Sequence, residues 1–213
     1  MTQTETRIFH YDQIGHLIAE TNQSGQMLAE LVYLGDQLLA MIKPGESAYY
    51  FHNDHLGTPQ VLMDDTQTIA WKAVYTPFGE AVASIQTVEN PFRFPGQYYD
   101  SETGLHYNYF RYYNPQTGRY ITPDPIGLEG GINLFAYVAN NPPNFLDPFG
   151  LIECKVLKDW GVIPSISKDC GPVFSYKKET MRGVSPRLNI SRLQGQWTAF
   201  QDAPGLLASV FLN

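Results

Sequence analysis

Two Asp-Pro pairs, Asp124-Pro125 and Asp147-Pro148, are the residues of this sequence best suited to chemistry, and they lie 23 positions apart. Two carboxyl groups can hydrolyse a peptide bond when one stays ionised and the other protonated, because the reaction needs an activated water and a proton for the departing nitrogen. Close like charges and burial separate the two titrations. A nearby guanidinium would hold one carboxylate ionised or stabilise the developing oxyanion. The structural alternative is that both pairs only start turns, as Asp-Pro commonly does.

Short β-strands must position these groups, because the chain is rich in the residues of strands and turns. Its 213 residues include 14 Tyr, 18 Gly and 15 Pro, a balance that favours many short strands over long helices. Turn signals at Gly15, at 22–25 and at Gly35 recur at the spacing of consecutive antiparallel strands. Such imperfect repeats must stack on neighbours, and open edges need a larger β-assembly to cover them. One short helix is expected at 133–138.

Charge divides the chain after Leu151. Residues 1–151 carry 6 basic and 16 acidic residues, a net charge of −10, whereas residues 152–213 carry 8 and 5, a net charge of +3. The asymmetry indicates two parts with different partners. A basic tail would suit nucleic acid or another polyanion, although a solvated basic face is the favoured interpretation. No run is apolar enough for a signal peptide or a membrane span, so export would need another machine or a larger parent chain.

Metal and cofactor chemistry find little support in the sequence. Cys154 and Cys170 would form one disulfide after export or stay thiols in a reducing cytosol, and a tail without histidine argues against a zinc site. The run 52–55, His-Asn-Asp-His, suits a metal site or a strand-end turn, and the turn is favoured. Phosphate-binding glycine loops and hydrolase motifs are missing from the sequence. We therefore expect neither a metal nor a cofactor.

Several long motifs, in order, resemble one family. The segments 52–59, 75–79, 94–105, 118–128 and 147–151 are similar to the Rhs repeat-associated core. This core lies at the C-terminal end of Rhs proteins, Tc-toxin C subunits and related YD-repeat proteins. Together with the Tyr-Asp hairpins of the first 48 residues, the resemblance covers most of the chain.

The resemblance implies a mainly β fold in three parts. Residues 1–48 would be YD-repeat β-hairpins, part of a spiralling β-shell that encloses a toxin polypeptide. Residues 49–151 would be the plug-like core that cuts the chain. Residues 152–213 would be a small α+β or irregular tail, a variable toxin tip or what remains of one.

The resemblance also implies a site. Family members cut after an Asp-Pro-x-Gly-Leu motif, which here selects the bond between Leu151 and Ile152. The family's aspartyl-protease-like pair falls on Asp124 and Asp147, and its charge partner falls on Arg111. The cleavage pattern is completed by Pro142, Pro148 and Gly150, and the glycine would let the backbone approach the carboxylates closely.

The expected function is therefore that of the C-terminal portion of an Rhs polymorphic toxin, which encloses its tail and releases it by self-cleavage. Two alternatives stay open: a non-enzymatic remnant acting as an interaction or scaffold module, and a tail that is a small toxin acting on nucleic acid. The remainder of a shell, an immunity protein and a secretion apparatus are the implied partners, in the setting of interbacterial competition. The expected location is the cytoplasm of the producing cell, with export by a dedicated system.

Overall fold

Strands dominate the computed structural model, which describes residues 6–45, 48–157, 165–166 and 208–211. The first eight strands are β1 (Arg7–Tyr11), β2 (Leu17–Asn22), β3 (Met27–Leu34), β4 (Gln37–Ile42), β5 (Ala48–Asn53), β6 (Pro59–Met63), β7 (Ile69–Tyr75) and β8 (Ala81–Gln86). The others are β9 (Tyr98–Tyr99), β10 (His106–Asn108), β11 (Arg111–Asn114), β12 (Arg119–Tyr120), β13 (Phe145–Leu146), β14 (Cys154–Leu157), β15 (Ser165–Ile166) and β16 (Ala208–Phe211). Two 3-10 helices span Gly127–Gly130 and Val138–Asn140. The predicted mainly β fold is confirmed.

The first eight strands form one antiparallel meander in chain order, and β16 joins it beside β1. The predicted hairpin turns lie where the sequence indicated, between β1 and β2, β2 and β3, and β3 and β4. Gly15 shows why the first turn forms where it does, because its φ of 93° is a conformation that glycine adopts at little steric cost. The domain boundaries of the sequence analysis stay predictions.

One face of this sheet is buried and carries the larger core. Alternate side chains point to opposite faces of a strand, so β3 buries Leu31 and exposes Val32, and β7 buries Trp71 and Ala73 and exposes Val74. The buried side chains include Phe9, Leu17, Leu31, Met41, Phe51, Leu62, Trp71 and Phe92.

A second sheet, in the order β12-β11-β10-β9, packs against this buried face through aromatic rings. Phe9 meets Tyr98 edge to face with ring centroids 5.0 Å apart. Tyr113 lies at the centre of the second core and donates a hydrogen bond of 2.7 Å to the backbone oxygen of Phe78. The other buried members are Phe94, Tyr120, Tyr137 and Val138. The stacking holds the second sheet at a fixed place over the first.

The helix predicted at 133–138 is wrong. The carbonyls of Leu134 and Phe135 accept hydrogen bonds from the backbone N–H groups of Asp124 and Tyr120, 2.9 and 3.0 Å long. Because those carbonyls serve neighbouring segments, they are not free to bond along a helix. The segment is instead an irregular strap that pairs with the edge strand β12, through a bridge between Arg119 and Ala136, and ends in the short 3-10 helix Val138–Asn140.

The start of the tail joins a small third sheet, in the order β13-β14-β15. Leu146 and Cys154 are buried there, and Ile152 packs against them. Cys154 is disulfide-bonded, which is the first of its two redox alternatives, and Cys170 lies outside the described residues. Most of the expected α+β or irregular tail also lies outside them. Within the described ranges, helices are too short and too polar to cross a membrane.

Candidate active site

The tight hairpin between β10 and β11 forms the base of the site. Asn108 pairs with Arg111 across the hairpin end, and Tyr109 in the turn has a φ of 54°. The next residue, Phe110, donates its backbone N–H to the carbonyl of Phe149 over 3.1 Å. The hairpin end therefore holds the Asp-Pro-x-Gly-Leu segment directly against itself.

Arg111 contacts both aspartates that the sequence analysis singled out. Its Nη2 lies 3.0 Å from Asp124 Oδ2 and 3.4 Å from Asp147 Oδ2. The guanidinium also donates from Nε to Gly150 O over 2.5 Å and from Nη1 to Leu134 O over 3.1 Å. Both aspartate side chains are only 4% exposed and the arginine side chain 2%, so the three groups face one another shielded from bulk solvent.

Asp124 both starts a turn and faces the arginine. Its Oδ1 accepts the backbone N–H of Ile126 over 3.0 Å, and its carbonyl accepts that of Gly127 over 3.0 Å. This leaves Oδ2 for Arg111. The structural and chemical interpretations of the Asp-Pro pair are therefore compatible, because each uses different atoms.

Asp147 is surrounded by hydrogen-bond donors. Oδ1 accepts the backbone N–H of Leu151 over 2.9 Å, and Oδ2 accepts the hydroxyl of Tyr120 over 2.8 Å. Asn108 Nδ2 donates to both the Tyr120 hydroxyl, over 2.7 Å, and the carbonyl of Asp147, over 2.9 Å. The carboxyl group is thus fixed in position by β10, β12 and the cleavage motif.

The carbonyl of Leu151 lies beside the other carboxyl group. A Cβ atom placed on Gly130 would come within 3.0 Å of both Asp124 Oδ2 and Leu151 O, so these two oxygens border the same small space. The N–H of Leu151 donates to Asp147, and its carbonyl borders the space beside Gly130 that Asp124 Oδ2 also borders. The backbone at the predicted cleavage position is therefore bonded to one member of the pair and lies near the other.

Burial raises the pKa of both carboxyl groups. The pKa of Asp147 is raised to about 6, with burial as the main cause and the charge of Asp124 as a smaller one. The N–H of Leu151, the hydroxyl of Tyr120 and the guanidinium of Arg111 act in the opposite direction and limit the rise. The pKa of Asp124 is also raised by burial, against the Ile126 N–H and Arg111. Raised pKa values are what an acid/base pair near neutral pH requires.

The raised pKa of Asp147 predicts a stability change with pH. The folded pKa of about 6 exceeds the unfolded value, so the folded state binds the proton more tightly, and this contribution is full below pH ~4 and lost as pH rises through ~6. We compare an Asp124→Asn chain, which keeps Asp147, with an Asp124→Asn/Asp147→Asn chain, which lacks it. Between pH ~4 and pH ~6, the free energy of unfolding should fall by about 2–3 kcal/mol more in the chain that keeps Asp147. Urea unfolding at pH 4, 5, 6 and 7 measures it, and parallel curves would contradict the burial of an ionisable Asp147.

The structure brings together most residues of the predicted site. Gly150 has a φ of 69°, and a Cβ there would collide with Asn108 O, so the close approach that this glycine allows is to the hairpin end. Pro148 packs its backbone against Gly96, and Ile152 lies against the third sheet. Pro142 is buried directly after the second 3-10 helix, in the turn that leads to β13.

Sequence reasoning missed three residues of the site. Tyr120 lies in a motif that carried the family resemblance, but its type alone suggested only a strand-face aromatic. Gly130 stands in a Gly-Gly pair six residues after Asp124, which is the signal that could have marked it. Asn108 carries no local signal, because its role depends on a tyrosine and a carbonyl distant in sequence.

The run 52–55 forms a turn at the end of β5. Asp54 Oδ1 accepts the backbone N–H groups of Leu56 and Thr58, both over 2.9 Å. His55 Nε2 lies 2.9 Å from the carbonyl of Pro143, which ties this turn to the segment before β13. In the described part of the chain, His, Cys, Asp and Glu nowhere gather in a group of three or more that could hold a metal ion.

The hairpin meander is covered on one face by an aromatic sheet, and a buried aspartate pair lies beside that sheet. This arrangement defines a β-shell protein. The chain belongs to the Teneurin YD-shell family, whose model matches residues 1–142. The Rhs/YD-repeat resemblance is thereby confirmed.

Two relatives and one solved structure are similar to part of this chain. The double-stranded DNA deaminase toxin A of Burkholderia cenocepacia (strain H111) is 45% identical over 108 residues, 48% of this chain and 8% of that protein. The probable deoxyribonuclease RhsA of Dickeya dadantii (strain 3937) is 46% identical over 103 residues, 47% of this chain and 7% of that protein. The crystal structure of TcdB2-TccC3 without its hypervariable C-terminal region covers 62% of this chain and 7% of that chain, at 27% identity and a TM-score of 0.50. The chain thus spans less than a tenth of each.

Proposed function

We propose that this chain is the C-terminal part of an Rhs-type toxin and cuts its own backbone between Leu151 and Ile152, releasing residues 152–213. The observation that carries the proposal is the placement of the Leu151 peptide groups: the N–H donates to Asp147, and the carbonyl lies beside Asp124. Leu151 is thus flanked by two buried carboxyl groups, one bonded to its N–H and one bordering the same space as its carbonyl, and general acid/base hydrolysis needs such groups close to the bond that is cut.

The proposed reaction is a single hydrolysis within one molecule. The ionised carboxylate of the pair takes a proton from a water molecule, and the water oxygen bonds to the carbonyl carbon of Leu151. The protonated carboxyl group then gives its proton to the nitrogen of Ile152, and the C–N bond breaks. Leu151 becomes a free carboxylate end and Ile152 a free amino end. Arg111 offsets the charge of the pair throughout, because its Nη2 contacts both carboxyl groups.

The proposed setting is a larger shell. The meander ends at β8, where Val82 and Ile85 are exposed, and an exposed strand edge favours pairing with a further strand. TcdB2-TccC3 is described with a hypervariable C-terminal region, which agrees with a variable cargo after Leu151.

An immunity protein and a secretion apparatus belong to the same proposal. The names of the relatives favour a nucleic-acid target for the tail, as does its charge of +3.

Intact mass spectrometry of the purified full chain tests the proposal directly. We expect two fragments, one ending at Leu151 and one beginning at Ile152, in place of one species at 24.0 kDa. An intact chain under all conditions of pH would overturn self-cleavage and favour a non-enzymatic scaffold. Expression of residues 152–213 alone in bacteria tests the tail, since unimpaired growth would contradict a nucleic-acid toxin.

Gly130 offers a test of the close approach at the cleavage position. Alanine there would force apart Asp124 Oδ2 and Leu151 O, because its Cβ would collide with both. A displacement of about 1 Å at a reacting centre can cost about 100-fold in rate. We therefore expect Gly130→Ala to slow cleavage by about 100-fold, measured by gel densitometry after dilution from denaturant.

Leu128→Ala is the matched control, because Leu128 lies in the same 3-10 helix and is 75% exposed. Its cleavage rate should equal that of the unchanged chain. Wild-type rates in Gly130→Ala, with an unchanged unfolding midpoint, would refute the role of this close contact.

A further inference from the structure

The hydrogen-bond donors around the aspartate pair are unevenly distributed, and this bears on which carboxyl group holds the proton. Three donors point at the carboxyl group of Asp147: the Leu151 N–H on Oδ1, and the Tyr120 hydroxyl and Arg111 Nη2 on Oδ2. Each of these hydrogen bonds favours the ionised form of a carboxyl group, and Asp147 has three such donors where Asp124 has two, the Ile126 N–H and Arg111 Nη2.

The direction of the Tyr120 hydrogen bond follows from its neighbours. The carbonyl of Asp147 can only accept, so the Asn108 atom 2.9 Å from it must be the amide nitrogen. The same nitrogen lies 2.7 Å from the Tyr120 oxygen and donates its second hydrogen there. The tyrosine oxygen is therefore an acceptor from Asn108, and its own hydrogen is left for Asp147 Oδ2, 2.8 Å away.

Asp124 has a different environment. Its Oδ1 accepts the backbone N–H of Ile126, and Oδ2 faces both Arg111 and the carbonyl of Leu151. A carbonyl oxygen has no hydrogen to donate, so a hydrogen bond between Oδ2 and that carbonyl needs a proton on the carboxyl group. Besides its ion pair with Arg111, Asp124 Oδ2 borders the same space as the carbonyl of the bond to be cut.

We propose that Tyr120 is a positioning residue that, with Asn108, holds Asp147 as the ionised member of the pair and so places the proton on Asp124. The inference rests on the proposed self-cleavage and names the base and the acid within it: Asp147 takes the proton from water, and Asp124 delivers one to the leaving nitrogen. Tyr120 touches neither the peptide bond nor the water in this assignment. It acts through the proton affinity of Asp147.

Tyr120→Phe tests the assignment because it removes the donated hydrogen bond and keeps the ring under Arg111, whose guanidinium carbon lies 3.6 Å from the ring centroid. The pKa of Asp147 should rise without this donor, by about one unit for a hydrogen bond to a charged group. We expect the acid side of the pH–rate profile to move up by about one pH unit, with the rate falling about fivefold near pH 6 and about tenfold below pH 5. The full chain would be diluted from guanidinium into buffers between pH 4.5 and 8.5 and its cleavage followed by gel.

Tyr113→Phe is the matched control. It removes a hydroxyl from the same buried aromatic cluster, but that hydroxyl donates to Phe78 O and not to the pair. Its cleavage rate is measured at each pH, and we expect its profile to match that of the unchanged chain. A merely structural role for Tyr120 would lower the amount of folded protein without moving the profile.

The outcomes separate the two claims. A pH–rate profile that shifts in Tyr120→Phe but not in Tyr113→Phe supports the inference. A second measurement uses carboxyl ¹³C NMR on an uncut Asp124→Asn chain, with and without Tyr120→Phe. A higher titration midpoint of Asp147 in the chain with Tyr120→Phe also supports the inference. A Tyr120→Phe profile that coincides with that of Tyr113→Phe overturns the inference and leaves self-cleavage intact. An unchanged chain that never cuts overturns self-cleavage, and the assignment of acid and base falls with it.

Discussion

Chains in which Asp147 or Asp124 is replaced by asparagine are expected to stay intact at 24.0 kDa, while the unchanged chain is cut after Leu151. Asparagine keeps the size of the side chain but can neither take nor deliver the proton that hydrolysis requires. Because the two carboxyl groups act together on one bond, each single change should abolish cleavage, by about 1,000-fold or more. Intact mass spectrometry after a day at pH 7 measures the loss.

Asp64→Asn is the control for these two changes. Asp64 also anchors a turn, accepting the backbone N–H groups of Thr66 and Thr68 over 2.9 Å each, but it lies at an exposed hairpin end between β6 and β7. This chain should be cut at the normal rate. Cleavage that continues in both Asp147→Asn and Asp124→Asn would exclude the pair as its cause.

Arg111→Met should destabilise the folded chain by about 3–5 kcal/mol. The change leaves two carboxyl groups buried at 4% exposure without their cation, and an uncompensated buried charge is costly. It also removes the donors to Gly150 O and Leu134 O. Urea unfolding at pH 7 gives the free energy difference, and part of the loss should be recovered at pH 4, where the carboxyl groups are protonated.

Two further variants serve as controls for Arg111→Met. Arg119→Met changes an exposed arginine on the adjacent strand β12 and should cost little. In an Asp124→Asn/Asp147→Asn background, Arg111→Met should cost much less than in the unchanged chain, because no buried anion is left without a partner. Equal costs in both backgrounds would show that the arginine stabilises the fold by packing alone.

The two Asp-Pro-x-Gly-Leu segments show how far local sequence leads. Both contain a glycine with positive φ, 64° at Gly127 and 69° at Gly150, and both have an aspartate that accepts a backbone N–H of its own segment. The turn chemistry was therefore readable from each segment alone. The two aspartates face one arginine because of the hairpin end of β10 and β11 and the strap at 133–138. Sequence reasoning expected a helix at 133–138.

The sequence by itself determined the features that depend on a few neighbouring residues: the hairpin turns, the alternation of buried and exposed side chains, and the motifs that identified the family. Steric limits on φ and hydrogen bonds within a turn act over such short separations. Only the tertiary structure decided the site. Arg111, Asp124 and Asp147 meet because the hairpin end of β10 and β11, the strap at 133–138 and the segment after β13 come together, and their contacts with Tyr120 and Asn108 join segments up to 39 residues apart. The raised pKa values have the same origin, since desolvation depends on everything that surrounds a carboxyl group, and no local pattern specifies that.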